Sequence, residues 1–166
     1  MKRSTPRSNP EHLRNFLEAC DNLNITEVNK QLAQPIPKDI ISQGMHIIIE
    51  KAEKGDRSIE CLQTLLDYGG NLEYINKGKF KILLGRTMLI VAAEQKNPSI
   101  VSWLLDKGID VNQLDEEGNT ALDISVRNKD NPYSDCVRLL VKAGASLNTQ
   151  GKPRQILSPV ILPPNF

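Results

Sequence analysis

The fold of this chain is decided by a stretch that begins Gly85-Arg86-Thr87-Met88-Leu89-Ile90-Val91-Ala92-Ala93 and continues with Ile100-Val101-Ser102-Trp103-Leu104-Leu105-Asp106-Lys107-Gly108 and Asp110-Val111-Asn112. It contains two short amphipathic helical patterns, a glycine that ends the second pattern, and an extended tail. The stretch nearly recurs, because Gly85, Thr87 and Leu89 correspond to Gly118, Thr120 and Leu122 with a shift of 33 residues in each case. A fixed period of about 20 to 50 residues predicts a solenoid, in which repeated units stack and share a core.

The 33-residue period and the Thr-x-Leu-x-x-Ala core that starts at Thr87 resemble the ankyrin-repeat family. The resemblance implies an all-α solenoid with short β-hairpin fingers, built from about four helix-turn-helix repeats. We expect the repeat domain to span residues 10–148, with units at about 10–34, 37–72, 83–113 and 115–148. A flexible lead over residues 1–9 precedes this domain, and an apolar, proline-rich tail over residues 149–166 follows it.

Both clear units depart from the family pattern Thr-Pro-Leu-His. They read Thr87-Met88-Leu89-Ile90 and Thr120-Ala121-Leu122-Asp123, so each lacks the helix-starting proline and the histidine that bonds the neighbouring unit. Asp123 still offers an acceptor to a hydroxyl or a backbone N–H, whereas Ile90 does not. We therefore expect apolar burial to compensate around the third unit.

Helix boundaries are indicated by capping residues and by glycines. The expected starts are Asn9-Pro10, Asn24 with Glu27 three residues later, Asp39 after Pro35-Ile36-Pro37, Asn97-Pro98, and Asn131-Pro132. Asparagine or aspartate accepts a bond from a first-turn N–H, and proline suits the first helical position. Gly69, Gly108 and Gly144 are expected to end the second helix of successive units.

Composition excludes several classes of protein. The 166 residues include 21 basic and 20 acidic side chains, a net charge of +1, so no global field favours nucleic acid or a membrane. No run approaches the ~18 apolar residues of a membrane span, and the N-terminal stretch lacks the apolar core of a secretory signal. Three widely spaced cysteines are expected to be buried free thiols. These features indicate a reducing, cytoplasmic compartment, or the host cytoplasm for a bacterial effector.

A search for catalytic or metal-binding residues finds none with the required spacing. The two histidines, His12 and His46, are not spaced for a metal with each other or with a cysteine. A His46–Cys61 dyad would require two helices to align them, and the alternative is a helix-face histidine beside a buried thiol. We expect a protein that is not an enzyme, with no cofactor and no small-molecule substrate.

The segment Tyr74-Ile75-Asn76-Lys77-Gly78-Lys79-Phe80-Lys81-Ile82 alternates polar and apolar residues around a glycine-containing turn. This alternation predicts an elongated β-hairpin finger ahead of the third unit. Interfaces favour aromatic and arginine anchors, so Tyr74, Phe80 and Arg86 are predicted hot spots. The alternative is that Tyr74 and Phe80 pair across the hairpin and stiffen it.

The resemblance implies that a partner protein binds the hairpin fingers and the concave face of inner helices. Carried onto this sequence, the partner-binding residues are Tyr74, Lys77, Phe80, Arg86, Glu94, Gln95, Leu114, Glu116, Glu117, Asn119 and Arg127. The function implied is a non-catalytic protein-interaction module, with an effector that acts on host proteins as one variant.

Three alternatives remain open at this level. Basic and aromatic residues alternate over residues 74–86, as in a finger that binds nucleic acid, although the adjoining finger is acidic. The residues concerned are Lys77, Lys79, Phe80, Lys81 and Arg86. Trp103, the sole tryptophan, either packs between outer helices or marks a contact on the convex side. The tail over residues 149–166 either covers the last repeat or offers a proline-rich ligand to a partner.

Overall fold

The computed structural model describes residues 9–52, 57–75, 85–127 and 134–147. Within these ranges the chain forms eight α-helices: α1 (Pro10–Asp21), α2 (Ile25–Leu32), α3 (Lys38–Lys51), α4 (Ser58–Asp67), α5 (Met88–Glu94), α6 (Pro98–Asp106), α7 (Ala121–Val126) and α8 (Asp135–Lys142). The predicted lead over residues 1–9 lies almost wholly outside the described residues, and so do the finger beyond Ile75 and the tail over residues 149–166.

The helices form pairs that stack in chain order. Helix α1 packs against α2, α3 against α4, α5 against α6, and α7 against α8. The first helices of the pairs, α1, α3, α5 and α7, contact one another in succession and make an inner row. In the outer row α2 contacts α4, and α6 contacts α8. Contacts between neighbouring pairs define a helical repeat solenoid, as the period predicted.

Helix α5 lies at the centre of this stack. All residues from Met88 to Ala93 are buried, because α3, α6 and α7 surround the helix. Ile90 has no exposed surface, although the family pattern places histidine there. Full burial of an isoleucine side chain contributes about 1.5–3 kcal/mol, which exceeds the roughly 1 kcal/mol of an average hydrogen bond. Apolar burial therefore replaces the missing inter-unit bond, as expected.

Three of the expected asparagine caps are confirmed. The side-chain oxygen of Asn9 accepts from the Glu11 N–H at 3.0 Å, that of Asn24 from Glu27 at 3.1 Å, and that of Asn97 from Ile100 at 3.2 Å. Each bond satisfies one first-turn donor that has no partner inside the helix. The glycine stops are confirmed too, since Gly69, Gly108 and Gly144 have φ of +92°, +76° and +87°.

Two expected helix starts are wrong. Helix α8 begins at Asp135, and its cap is Ser134, whose hydroxyl accepts from the Val137 N–H at 3.5 Å. A cap at Asn131-Pro132 would start the helix earlier, and those two residues lie outside the described ranges. Helix α3 follows Pro37 with no side-chain cap, and Asp39 lies inside its first turn. At that position the negative carboxylate of Asp39 stabilises the helix, because the N-terminal end of the helix dipole is positive.

The β-hairpin fingers are not supported: the described residues contain no strand. Between α6 and α7 several backbone donors bond to nearby side chains. The carboxylate of Asp110 accepts from the Asn112 N–H at 2.9 Å, and that of Asp115 accepts from the N–H groups of Glu117 and Asn119 at 2.9 and 2.7 Å. Such local bonds compete with the ladder that a hairpin requires.

Candidate functional site

The structure brings eight of the predicted partner-binding residues onto the turns before α5 and α7 and onto the ends of those helices. We call this set the turn surface, and its members are Arg86, Glu94, Gln95, Leu114, Glu116, Glu117, Asn119 and Arg127. Lys77 and Phe80 lie outside the described residues. Tyr74 is placed elsewhere, against helix α3.

A backbone hydrogen bond joins the two turns of the turn surface. The Glu116 N–H donates to the Gly85 carbonyl at 3.0 Å. Gly85 has φ of +75°, and a Cβ added there would lie 2.4–2.6 Å from three side-chain atoms of Glu116. The two turns approach this closely because residue 85 has no side chain. Successive units therefore present one continuous surface at this point.

Two side-chain pairs span the inner helices at equivalent positions. Arg86 forms an ion pair with Glu94 across helix α5. The Arg127 guanidinium donates to the Asn119 amide oxygen at 2.7 Å across helix α7. In both cases the partners are eight residues apart, and each member of the second pair lies 33 positions after its counterpart in the first. The 33-residue period therefore also holds for the positions of these polar side-chain contacts.

Asp115 organises the turn before α7, and sequence reasoning did not single it out. It is buried and accepts from the N–H groups of Glu117 and Asn119 and from the Asn119 amide at 3.0 Å. Its own N–H donates to the Asn119 carbonyl at 3.0 Å. The signal was present as Asp115-x-x-Gly118-Asn119, a pattern typical of turns in which aspartate bonds the following backbone.

The next turn residues form a full capping box. The Thr120 hydroxyl accepts from the Asp123 N–H at 3.2 Å, and the Asp123 carboxylate accepts from the Thr120 N–H at 2.8 Å and from the Thr120 hydroxyl at 2.9 Å. Asp123 thus accepts from a hydroxyl and from a backbone N–H, as its position suggested. Both donors belong to Thr120 of the same unit and not to a neighbouring unit. These bonds fix the start of α7 and hold the turn surface on a rigid support.

The exposed part of the turn surface combines an apolar residue with charges. Leu114 is 46% exposed, one of three large apolar side chains that are exposed within the described ranges. It is followed by the buried Asp115 and by the exposed Glu116 and Glu117. The Glu117 carboxylate accepts from the Asn119 amide at 3.3 Å. Because Leu114 adjoins two carboxylates, this surface suits a ligand that carries an apolar side chain next to a basic one.

Tyr74 is a packing residue in this structure. Its ring meets the His46 ring edge-on with centroids 5.7 Å apart, and the His46 Nε2–H donates to the Tyr74 carbonyl at 3.0 Å. Partial burial raises the pKa of Tyr74, and the charge of Asp39 adds to that rise. The ring is half-buried, so its role as a hot spot stays a prediction, as does the alternative that it pairs with Phe80.

The histidines and cysteines have structural environments. His12 and His46 each donate from Nε2 to a backbone carbonyl, that of Gln31 at 2.9 Å and that of Tyr74. Cys20, Cys61 and Cys136 are buried, and none of the three forms a disulfide. Burial raises the pKa of the Cys20 thiol to about 12, with a smaller contribution from the nearby Cys61. The Cys20 thiol is therefore protonated at neutral pH, which makes it a weak nucleophile.

The described part of the chain offers no metal site and no membrane span. Within it, no group of three or more His, Cys, Asp or Glu side chains is placed to hold a metal ion. Its longest helix, α3, has 14 residues, and none of the described helices has the length and apolar character that crossing a bilayer requires.

These features define a helical repeat protein with a pre-ordered surface across two units, and comparison with known proteins gives the family. Residues 16–151, well over half of the chain, match the family described as ankyrin repeats in three copies. The chain belongs to the ankyrin-repeat family.

Partial similarity links the chain to proteins named cortactin-binding protein 2. The protein from Plecturocebus moloch is 43% identical over 68 residues, and that from Dasypus novemcinctus is 40% identical over 72 residues. The protein from Muntiacus reevesi is 43% identical over 109 residues, which cover 64% of this chain. The first two matches cover 40% and 42% of this chain. The chain spans only 4% to 6% of the length of these relatives.

Proposed function

We propose that this chain is a non-catalytic protein-interaction module and that its partner binds the turn surface. The observation that carries the proposal is the exposed Leu114 beside a turn that Asp115 holds rigid. An apolar side chain on a pre-ordered support loses little conformational freedom on binding, so more of its burial energy appears as affinity. The protein-binding role of ankyrin repeats supports the proposal, as does the relatives' name, which records a protein partner for them.

The partner that suits this surface presents an apolar residue next to a basic one. The apolar residue packs on Leu114, and the basic residue faces Glu116 and Glu117. Glu94 balances the charge of Arg86 in an ion pair, so Arg86 does not repel a basic partner as a free cation would. Arg127 donates to the neutral Asn119 amide and keeps its positive charge at the edge of the contact. Such charge complementarity sets specificity and association rate more than affinity.

The same pairing weighs against nucleic acid as the ligand. The guanidinium of Arg86 is engaged by Glu94, and the ring of Tyr74 packs on His46 instead of standing free for a base to stack on. Lys77 and Phe80 lie outside the described residues. Within our proposal the module works in a reducing, cytoplasmic compartment, which is supported by three buried cysteines that form no disulfide. An effector that acts on host proteins would use the same surface.

Leu114→Asp tests the proposal, with Leu147→Asp as the matched control. Leu147 is also an exposed leucine, at 38%, and it lies outside the turn surface. Each variant and the wild type are used as bait for affinity capture, and the captured protein is then produced pure for titration. Burial of a half-exposed leucine is worth about 1 kcal/mol, so we expect Leu114→Asp to weaken binding by roughly fivefold or more.

The control fixes how the result is interpreted. Leu147→Asp should bind the partner as the wild type does, and binding should weaken as salt rises if the acidic side chains contribute. The identity of the captured protein distinguishes a host target from a partner in the same cell. If both leucine variants bind the purified partner equally well, the turn surface is not the binding site.

A further inference from the structure

A second surface lies on the outer row, around Trp103. This residue is half-buried in α6, packs against the core, and has the Lys107 ammonium 5.5 Å from its ring centre. It lines an open groove of about 1040 Å³ between α6 and α8, which Ile59 of α4 also reaches. Pro98 and Leu139 add half-buried apolar surface to the same groove. Trp103 therefore packs between outer helices and also leaves one side open.

We propose that the apolar segment over residues 156–162 of the same chain docks in this groove. The segment reads Ile156-Leu157-Ser158-Pro159-Val160-Ile161-Leu162. This inference does not depend on the turn surface, which lies on the inner row. The tail over residues 149–166 would then cover the outer helices of the third and fourth units.

The connection is long enough to reach the groove. Helix α8 supplies Leu139 to the groove, and the described residues continue only to Leu147. Nine positions separate Leu147 from Ile156, and an extended chain covers up to roughly 30 Å over that number of residues. Helix α8 has eight residues and is only about 12 Å long. Fully extended, the connection is therefore longer than α8, which forms one wall of the groove.

The chemistry of the segment matches that of the groove. Residues 155–166 contain no charged side chain, and the groove is bordered by two acidic and two basic residues, Asp106, Asp135, Arg138 and Lys142, whose charges balance. Proline-containing segments lose little entropy when they bind in an extended form, and they bind grooves lined by aromatic residues. A run of large apolar residues left in water would be unusual for a folded protein.

The covalent link makes even weak docking effective. A short covalent connection gives an effective concentration in roughly the millimolar range, so a segment with an intrinsic Kd of about 1 mM already occupies the groove about half of the time.

Trp103 is the sole tryptophan, so its fluorescence reports directly on the groove. In the full chain, Leu157→Asp combined with Ile161→Asp should shift the emission to longer wavelength and increase quenching by acrylamide. The matched control, Gln150→Asp combined with Asn165→Asp, adds the same charge to the tail outside the segment and should leave both measurements unchanged. Far-ultraviolet circular dichroism checks that the helices persist, and Leu157→Ser should give a smaller shift in the same direction if the Asp pair lowers helicity.

Two results would overturn the proposal. One is identical emission and quenching for the wild type, the Asp pair and Leu157→Ser, which would show that the segment does not cover Trp103. The other is emission that changes on dilution of the wild type, which would show that a second copy of the chain supplies the segment. Docking within one chain requires emission that is independent of protein concentration.

Discussion

Replacement of Gly85 by alanine tests how the two turns of the turn surface are held together. Gly85 has φ of +75°, in the region that side chains disfavour, and an added Cβ would lie 2.4–2.6 Å from the side chain of Glu116. One of the contacted atoms is the Glu116 Cβ, which moves only with its backbone. The Gly85 carbonyl also accepts the Glu116 N–H at 3.0 Å, so the displacement breaks the bond between units.

The chain contains a matched control for this substitution. Gly108 has φ of +76°, and a Cβ added there would meet nothing within 4 Å. Gly108→Ala therefore measures the left-handed backbone penalty alone, about 1–2 kcal/mol. Gly85→Ala carries the same penalty and also loses a hydrogen bond worth about 0.5–1.5 kcal/mol, so we expect a total near 2–3 kcal/mol.

Urea unfolding followed by circular dichroism gives both free energies of unfolding. Gly85→Ala should lower the midpoint more than Gly108→Ala, and it should also weaken binding of the partner, because the turn surface depends on the bond between units. Gly108→Ala should leave partner binding unchanged. Equal destabilisation by the two substitutions would refute the idea that close contact with Glu116 holds the turns together.

Two further predictions concern the helix cap and the buried histidine. Thr120→Ala removes the hydroxyl that accepts the Asp123 N–H at 3.2 Å, so it should cost about 1–2 kcal/mol in the urea experiment, whereas Thr120→Ser should cost less. Equal losses for the two variants would contradict the capping role. Burial lowers the pKa of His46 from its ordinary value of 6.5, and the bond to Tyr74 only partly offsets this. The unfolded chain therefore takes up this proton first, so stability should fall as pH drops below about 6.5 and level off below the folded-state pKa. His46→Phe should remove that part of the pH dependence, and parallel pH profiles for the variant and the wild type would exclude His46 as its source.

Features set by neighbours within a few residues were predictable from the sequence. The asparagine caps and the glycine stops each depend on one side chain and its own helix terminus, and they occur where the pattern indicated. The wrong predictions of helix starts also concerned local features. At α8 the pattern indicated Asn131-Pro132, but Ser134 is the cap, and Val137 is buried in the first turn of the helix.

The short hairpin fingers were an inference from the family, whereas the elongated finger was predicted from the alternation over residues 74–82; the described residues contain no strand. The side chains of Asp110 and Asp115 accept from the backbone N–H groups of Asn112, Glu117 and Asn119, so these three groups do not donate to an opposite strand. Such competition is difficult to judge from the sequence, because the same residues favour hairpin turns and isolated turns alike.

The sequence by itself determined the period, the helical pairs and which residues belong to the turns. Only the tertiary structure decided which of these residues are free for a partner. The pairing of Arg86 with Glu94 and of Arg127 with Asn119 depends on how a side chain lies across a whole helix. The bond from Glu116 to Gly85 depends on the distance between neighbouring units. Stacking sets the second geometry, because units that share a core bring their turns close together.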